Sequence, residues 1–259
     1  FYDCMDDALA FPQDARVREL RSVLERGLLA RARHVFCSSD ELALRCAARG
    51  AADERVSVVA NGYDPLAFPI DPSSTAPRGG ELILGYFGTI ADWLDVDLLH
   101  RLVTADSRLT IDLIGPGALP PRFAHPRLRV FAPMPHRELR GAVSNCHAMI
   151  LPFRDTPLTR AVDPVKMYEY LALGKPVLCP ALPVLAKFSP FATLYRDAAE
   201  CVALVASRAI ASPATREARA QFLADSTWQQ RADSMARTIF ARHPLAQSTR
   251  ASIAQRAPR

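Results

Sequence analysis

Lys166 and Glu169 stand three residues apart in the stretch VDPVKMYEYLALGKPVLCP, residues 162–180. On a helix that spacing puts an ammonium and a carboxylate on one face, which Tyr170 and Leu173 continue at i+4 and i+7. The segment also carries signals for its ends. Asp163 is the expected N-cap, Pro164 suits a first turn where its missing N–H would be unpaired anyway, and Gly174 supplies a left-handed stop. An anion docked at this helix start would meet free backbone N–H groups, the positive end of the helix dipole and the Lys166 ammonium together. The alternative is an ordinary helix with a surface ion pair worth about 0.3 to 0.5 kcal/mol. Of 32 Lys plus Arg, only residues 166, 175 and 187 are lysine, so a compact point charge at 166 reads as a chemical choice that arginine would not satisfy. Lys187 has no role legible in the sequence.

The elements that must position this pair follow from the apolar pattern. Strands are expected at 35–38, 56–60, 82–87, 109–114, 128–131, 147–152 and 175–179, and helices at 14–33, 39–49, 95–105 and 136–144, with one or two more over 213–241. Strands alternating with helices imply right-handed crossovers and parallel sheets. Residues 69–80 (PIDPSSTAPRGG) read as a linker and 245–259 as a polar, basic, disordered tail. The expected division is 1–68, a Rossmann-like unit that begins inside a domain; 69–80; a nucleotide-binding Rossmann-like unit over 81–212; and C-terminal helices over 213–244.

Composition narrows the function classes. With 259 residues, 49% of them hydrophobic, the chain can bury a large core. It has no apolar run of 18 residues and no signal-peptide pattern at its start, so a cytoplasmic location is expected, or a peripheral one at the inner face of the membrane. Six cysteines without a CxxC pair read as small core residues in a reducing compartment. A net charge of +5, with arginine spread along the chain, argues against a nucleic-acid partner. Residues 15–36 alternate arginines with Val17, Leu20, Leu24 and Leu28, which suits either anionic lipid or a solvated domain face.

Several other residues have two readings. Asp95-Val96-Asp97 has a metal-binding spacing but opens a helix, where acids favour the dipole, and no metal site is expected. Gly115-Pro116-Gly117 could shape a loop near a ligand or simply end a strand. Phe153 and Arg154 end a strand at the carboxyl edge, where ligands of open α/β sheets sit, or form a plain loop. His136, at a helix start, reads as a surface or capping residue rather than an acid or base.

YDCMDD (2–7), VVANGYDPLAF (58–68), LGYFGTIADW (84–93), IGPG (114–117) and PVKMYEYLALGKPV (164–177) together resemble bacterial glycosyltransferases of family 4, also called group 1, in the branch of teichuronic-acid and other surface-polysaccharide enzymes. The resemblance implies the GT-B architecture, two facing Rossmann-like domains with parallel sheets, the N-terminal one incomplete here. It implies transfer of a sugar from a UDP or GDP sugar to a glycan or lipid-linked acceptor, with retention, without a metal and without a cofactor. Lys166 would stabilise the departing diphosphate. Glu169 matches the second glutamate of the family's Glu-x7-Glu motif, which accepts from the ribose hydroxyls, but Ala161 stands at the first, and Asp163 or Arg160 could only partly substitute. Gly88 is followed by Thr89 where relatives have arginine, so phosphate binding would lean on backbone N–H groups around Gly88 and Thr89 and on Arg154 or Arg160. Met134, in the loop that relatives present to the nucleobase, would pack on its ring or fill the core. Two other readings stay open: a sugar-nucleotide epimerase of the same architecture, and a non-catalytic nucleotide-sugar-binding protein.

Overall fold

The computed structural model describes residues 1–71 and 81–242. The expected tail and nearly all of the expected linker lie outside these residues. Short, continuously apolar runs become buried parallel strands, as they must when helices cover both faces of a sheet.

The first unit has three parallel strands in the order β1 (Tyr2–Cys4), β2 (Val35–Cys37), β3 (Val56–Val58), with α1 (Ala15–Arg31) and α2 (Asp40–Ala48) between them. Both helices begin where the sequence supplies a cap: the Asp14 carboxylate accepts from Val17 N, and Ser39 Oγ accepts from Leu42 N. Most of the apolar residues of α1 do not face a core. Only Glu25 and Leu29 of this helix are buried, and Leu20 and Leu24 are each 57% exposed.

The second unit is a six-stranded parallel sheet in the order β6-β5-β4-β7-β8-β9. Its elements are β4 (Leu82–Phe87), α3 (Val96–Ala105), β5 (Leu109–Ile114), β6 (Leu128–Phe131), α4 (His136–Ala142), β7 (Ala148–Ile150), α5 (Pro157–Ala161), α6 (Val165–Ala172), β8 (Val177–Pro180), β9 (Thr193–Tyr195) and α7 (Ala198–Ala206). The chain winds outward from β4 to β6, then crosses back and winds outward again from β7 to β9. That is the doubly wound order, and it opens a crevice at the carboxyl ends of the strands where the winding reverses, between β4 and β7. The short elements β9, α5 and α7 were not expected from the sequence.

After α8 (Arg216–Ala224), α9 (Trp228–Arg242) returns to the first unit. Tyr63 N donates to Ser226 O at 3.1 Å, Trp228 N donates to Tyr63 O at 3.2 Å, and Arg231 Nε donates to Asn61 O at 3.1 Å. A Cβ on Gly62 would lie 2.7 Å from the Thr227 backbone, so this crossing packs main chain on main chain. Among the described residues no helix is long and apolar enough to cross a membrane.

Candidate active site

The start of α6 differs from the sequence expectation in one instructive way. Pro164, not Asp163, occupies the N-cap position, and no side chain caps the helix. Its first N–H groups therefore lack a side-chain acceptor, the condition under which a helix start receives an anion. Asp163 is drawn off by the first unit. It is fully buried and accepts from Asn61 N at 2.8 Å and Tyr168 Oη at 2.9 Å, with Lys187 Nζ 2.7 Å from its other oxygen. Asn61 Nδ2 also donates to the Asp163 carbonyl at 2.7 Å. Asp163 thus fastens the two units together, which gives Lys187 its role and corrects the expectation of a cap. Gly174 does adopt the left-handed conformation, at φ 71°.

A cavity of about 240 Å³ opens at the carboxyl ends of β4, β5 and β6. Gly88 follows β4, Gly115 and Pro116 follow β5, Pro133 and Met134 follow β6, and Lys166 and Glu169 project from the first turns of α6. The glycines are required by close approach. At Gly88, φ is +143° and a Cβ would fall 1.9 Å from Lys166 Cε; at Gly115, φ is +148° and a Cβ would fall 2.1 Å from the Gly88 carbonyl oxygen. Gly88 N donates to Ile114 O at 2.8 Å and Ile90 N to Pro116 O at 2.7 Å, so the two loops are knit edge to edge beneath the lysine. Gly115 and Pro116 therefore line the candidate site rather than only ending a strand.

Glu169 is buried, and its Oε1 lies 2.8 Å from His136 Nε2, at hydrogen-bond distance. The imidazole is in turn held by an edge contact with Phe68, ring centroids 4.7 Å apart. Burial raises the pKa of Glu169 above the usual carboxylate range, against the opposing pull of His136 and Lys166. Burial likewise lowers the pKa of Lys166, opposed by Glu169 and Asp6. Among the described residues the Lys166 ammonium has no hydrogen-bond partner. Its side chain is half-buried and faces open space.

Lys166 also borders a second cavity, of about 310 Å³, between the two units. Asp6 and Phe11 from the first unit face Trp93, Phe153 and Val165 from the second across it, and the Phe11 and Trp93 rings meet edge to face at 6.3 Å. A single ammonium thus stands on the wall between a glycine-floored cavity and an aromatic, acid-bearing one.

The remaining expected residues divide. Met134 lines the first cavity and Phe153 the second. Thr89 is exposed and turns its carbonyl to the Tyr86 hydroxyl at 2.9 Å. Arg154 is spent on Asp97, at 2.9 Å, and on the Leu94 carbonyl, and Arg160 on Asp155, at 2.5 Å. None of these three side chains lines either cavity, and both arginines are held by nearer partners. Ala161 is fully buried and offers no group to a ligand. His136 is the residue that sequence reasoning missed: its position at a helix start carries no sign of a partner 33 residues away.

No family model matches the chain. It is 28% identical over 204 residues to a protein of Bacillus subtilis (strain 168) whose name assigns it provisionally as the teichuronic acid biosynthesis glycosyltransferase TuaH, a match covering 72% of this chain and 51% of that protein. The chain spans about half the length of this curated relative. Among solved structures, it is similar to Anabaena Alr3699/HepE in complex with UDP and glucose, with a TM-score of 0.69 at 17% identity over 93% of this chain and 71% of that one. Sucrose-phosphate synthase from Thermosynechococcus elongatus gives a TM-score of 0.66 at 16% identity, covering 89% of this chain and 64% of that one. S. aureus TarM gives 0.62 at 12% identity, over 91% of this chain and 47% of that one. The chain is similar in sequence to a protein provisionally named a glycosyltransferase, and its architecture is the GT-B fold.

Proposed function

We propose that the chain supplies the donor site of a glycosyltransferase that moves a sugar from a nucleoside-diphosphate sugar, of the UDP or GDP type, to a glycan or lipid-linked acceptor in cell-surface polysaccharide synthesis. The observation that carries this reading is the position of Lys166, unpartnered and shared by two cavities. The diphosphate lies over Gly88 against the uncapped start of α6, the ribose hydroxyls donate to Glu169, and the base lies beside Met134. The sugar and its acceptor occupy the second cavity, where Trp93 and Phe11 offer apolar ring faces and Asp6 an acceptor for hydroxyl hydrogens. HepE, solved with UDP and glucose, supports a nucleotide sugar on this fold.

As the glycosidic bond breaks, negative charge collects on the diphosphate while the sugar becomes oxocarbenium-like. A fixed cation and helix dipole meet that charge without reorganising, which fills the part a metal ion would play. Attack by an acceptor hydroxyl on the face the diphosphate leaves gives retention, its proton passing to the departing phosphate oxygen. The exposed face of α1, with Leu20, Leu24 and Leu28 beside Arg16, Arg21 and Arg31, suits contact with anionic lipid at the inner face of the membrane. Flotation with anionic vesicles tests that contact, and a wholly negative result removes it from the reading.

Calorimetric titration with UDP, GDP and dTDP, followed by product analysis with the matching donor sugar, tests the reading as a whole. Saturable binding of one diphosphate should be weakened by Lys166→Ala, and sugar transfer by that variant should fall by about 2.7 to 4 kcal/mol of transition-state stabilisation. Product formed without an acceptor would identify an epimerase, binding without turnover a non-catalytic protein, and undiminished transfer by Lys166→Ala would refute the role given to the lysine.

A further inference from the structure

The first unit contains a cluster that the sugar-transfer reading does not use. Cys4 lies directly opposite Cys37 on the parallel strands β1 and β2, so both side chains leave the same face of the sheet. The third thiol, Cys46, comes from α2, and the three Sγ atoms lie within 4.8 Å of one another. Cys37 and Cys46 are 3.7 Å apart, and none of the three residues is more than 1% exposed. All three are free thiols. Sulfurs bound to one ion at about 2.3 Å, with tetrahedral or trigonal angles, stand about 3.8 to 4.0 Å apart. The observed separations therefore need side-chain adjustments rather than a new backbone.

We propose that Cys4, Cys37 and Cys46 form a binding site for a soft, thiophilic cation. The chemistry around them selects for softness. Leu29, Val35, Leu42 and Ala51 pack around the three sulfurs; the oxygens beside Cys4 are the Asp6 carbonyl, 3.7 Å from its Sγ, and the Tyr2 hydroxyl, which itself donates to Glu25. Thiolate sets of this kind prefer Cu(I) or Zn²⁺ over Mg²⁺ or Ca²⁺, and three sulfurs alone satisfy Cu(I), whereas Zn²⁺ takes a fourth ligand. On binding, each thiol passes its proton to solvent as its sulfur–metal bond forms, and no electron is transferred. The ion would pin α2 to β1 and β2. It would also fix the strand end that presents Asp6 to the second cavity.

The test uses the full chain, reduced and without oxygen, titrated separately with Cu(I) delivered from its bathocuproine disulfonate complex and with Zn²⁺. The expected result is one equivalent of ion per chain, a thiolate-to-metal charge-transfer band, and three sulfur neighbours by X-ray absorption. Losing one ligand should weaken binding by about 100-fold or more, beyond the range for outer-shell partners, in Cys46→Ser. Cys201→Ser, in α7 of the other unit, should leave it unchanged. One equivalent of either ion bound by three sulfurs supports the site, and the arm in which it appears names the ion. Folded wild-type chain that takes up neither ion, a bound ion with fewer than three sulfurs, or full affinity in Cys46→Ser would overturn it. Nucleotide binding plays no part in these readouts, so this site and the donor site stand or fall separately.

Discussion

Gly88→Ala is the substitution that most sharply tests how the candidate site is built. The new Cβ would fall 1.9 Å from Lys166 Cε and 2.9 Å from its Nζ. Ordinary carbon–carbon contact is about 3.5 to 4.0 Å, so the lysine must retreat by about 2 Å. Drawing an ammonium from about 3 to about 5 Å from a phosphate charge, at an effective dielectric of about 20, forfeits about 2 kcal/mol. Nucleoside diphosphate affinity should therefore fall about 30-fold. Backbone strain at φ +143° adds about 1 to 3 kcal/mol to the cost of folding, which a urea melt reads separately. Calorimetry on both single variants and the double variant gives the decisive comparison. If Gly88 acts by leaving room for the lysine, then in a Lys166→Ala background Gly88→Ala should change affinity by no more than about two-fold, the ordinary scatter of uncoupled sites. Wild-type affinity in Gly88→Ala, or full additivity in the double variant, would refute the reasoning.

Other consequences are as direct. Burial raises the Glu169 pKa, so the folded chain holds that proton more tightly than the unfolded chain, and stability is lost as pH rises from 4.5 through the raised value. Glu169→Gln should accordingly raise the urea midpoint near neutral pH and converge with wild type in acid while it weakens diphosphate binding; a lower midpoint at neutral pH contradicts this. Because burial lowers the Lys166 pKa below 10.5, diphosphate affinity should decline on the alkaline side earlier than for an ordinary lysine. Lys166→Arg, which keeps its charge, should abolish that limb even if it binds more weakly overall, and a limb of unchanged position counts against the assignment. Asp163→Ala leaves Asn61 N–H and the Tyr168 hydroxyl without their acceptor and Lys187 without its carboxylate, and should cost about 3 kcal/mol in chemical denaturation; a loss below about 1 kcal/mol would show that the junction does not depend on it.

The centre of the second unit's sheet was legible because β4 and β5 are six-residue, largely apolar runs, LILGYF and LTIDLI, which occupy the limits their composition suggests, as does the short edge strand LRVF. TLY at 193–195 is too short to show a period and draws its strand character from pairing with β8. The site was legible where chemistry is local, as with Lys166, Glu169 and the glycine after β4. It was illegible where the partner is distant in sequence: Asn61 takes Asp163 from the helix it would cap, 102 residues away, and the order β6-β5-β4-β7-β8-β9 brings His136 over Glu169. Arg154 and Arg160 failed for the opposite reason. Asp97 and Asp155 lie within their reach and hold them outside the cavities.

The return of α9 to the first unit has a mechanical side. The chain leaves that unit after Tyr63 and comes back at Thr227, and these two passages run side by side, bridged to each other and in backbone contact at Gly62. A door hung on two adjacent pins swings about the line through them and resists wringing. The two halves of the molecule are joined in that manner, and a rotation about that line that opened the aromatic cavity would have to break the Asn61–Asp163 contact on the cavity wall.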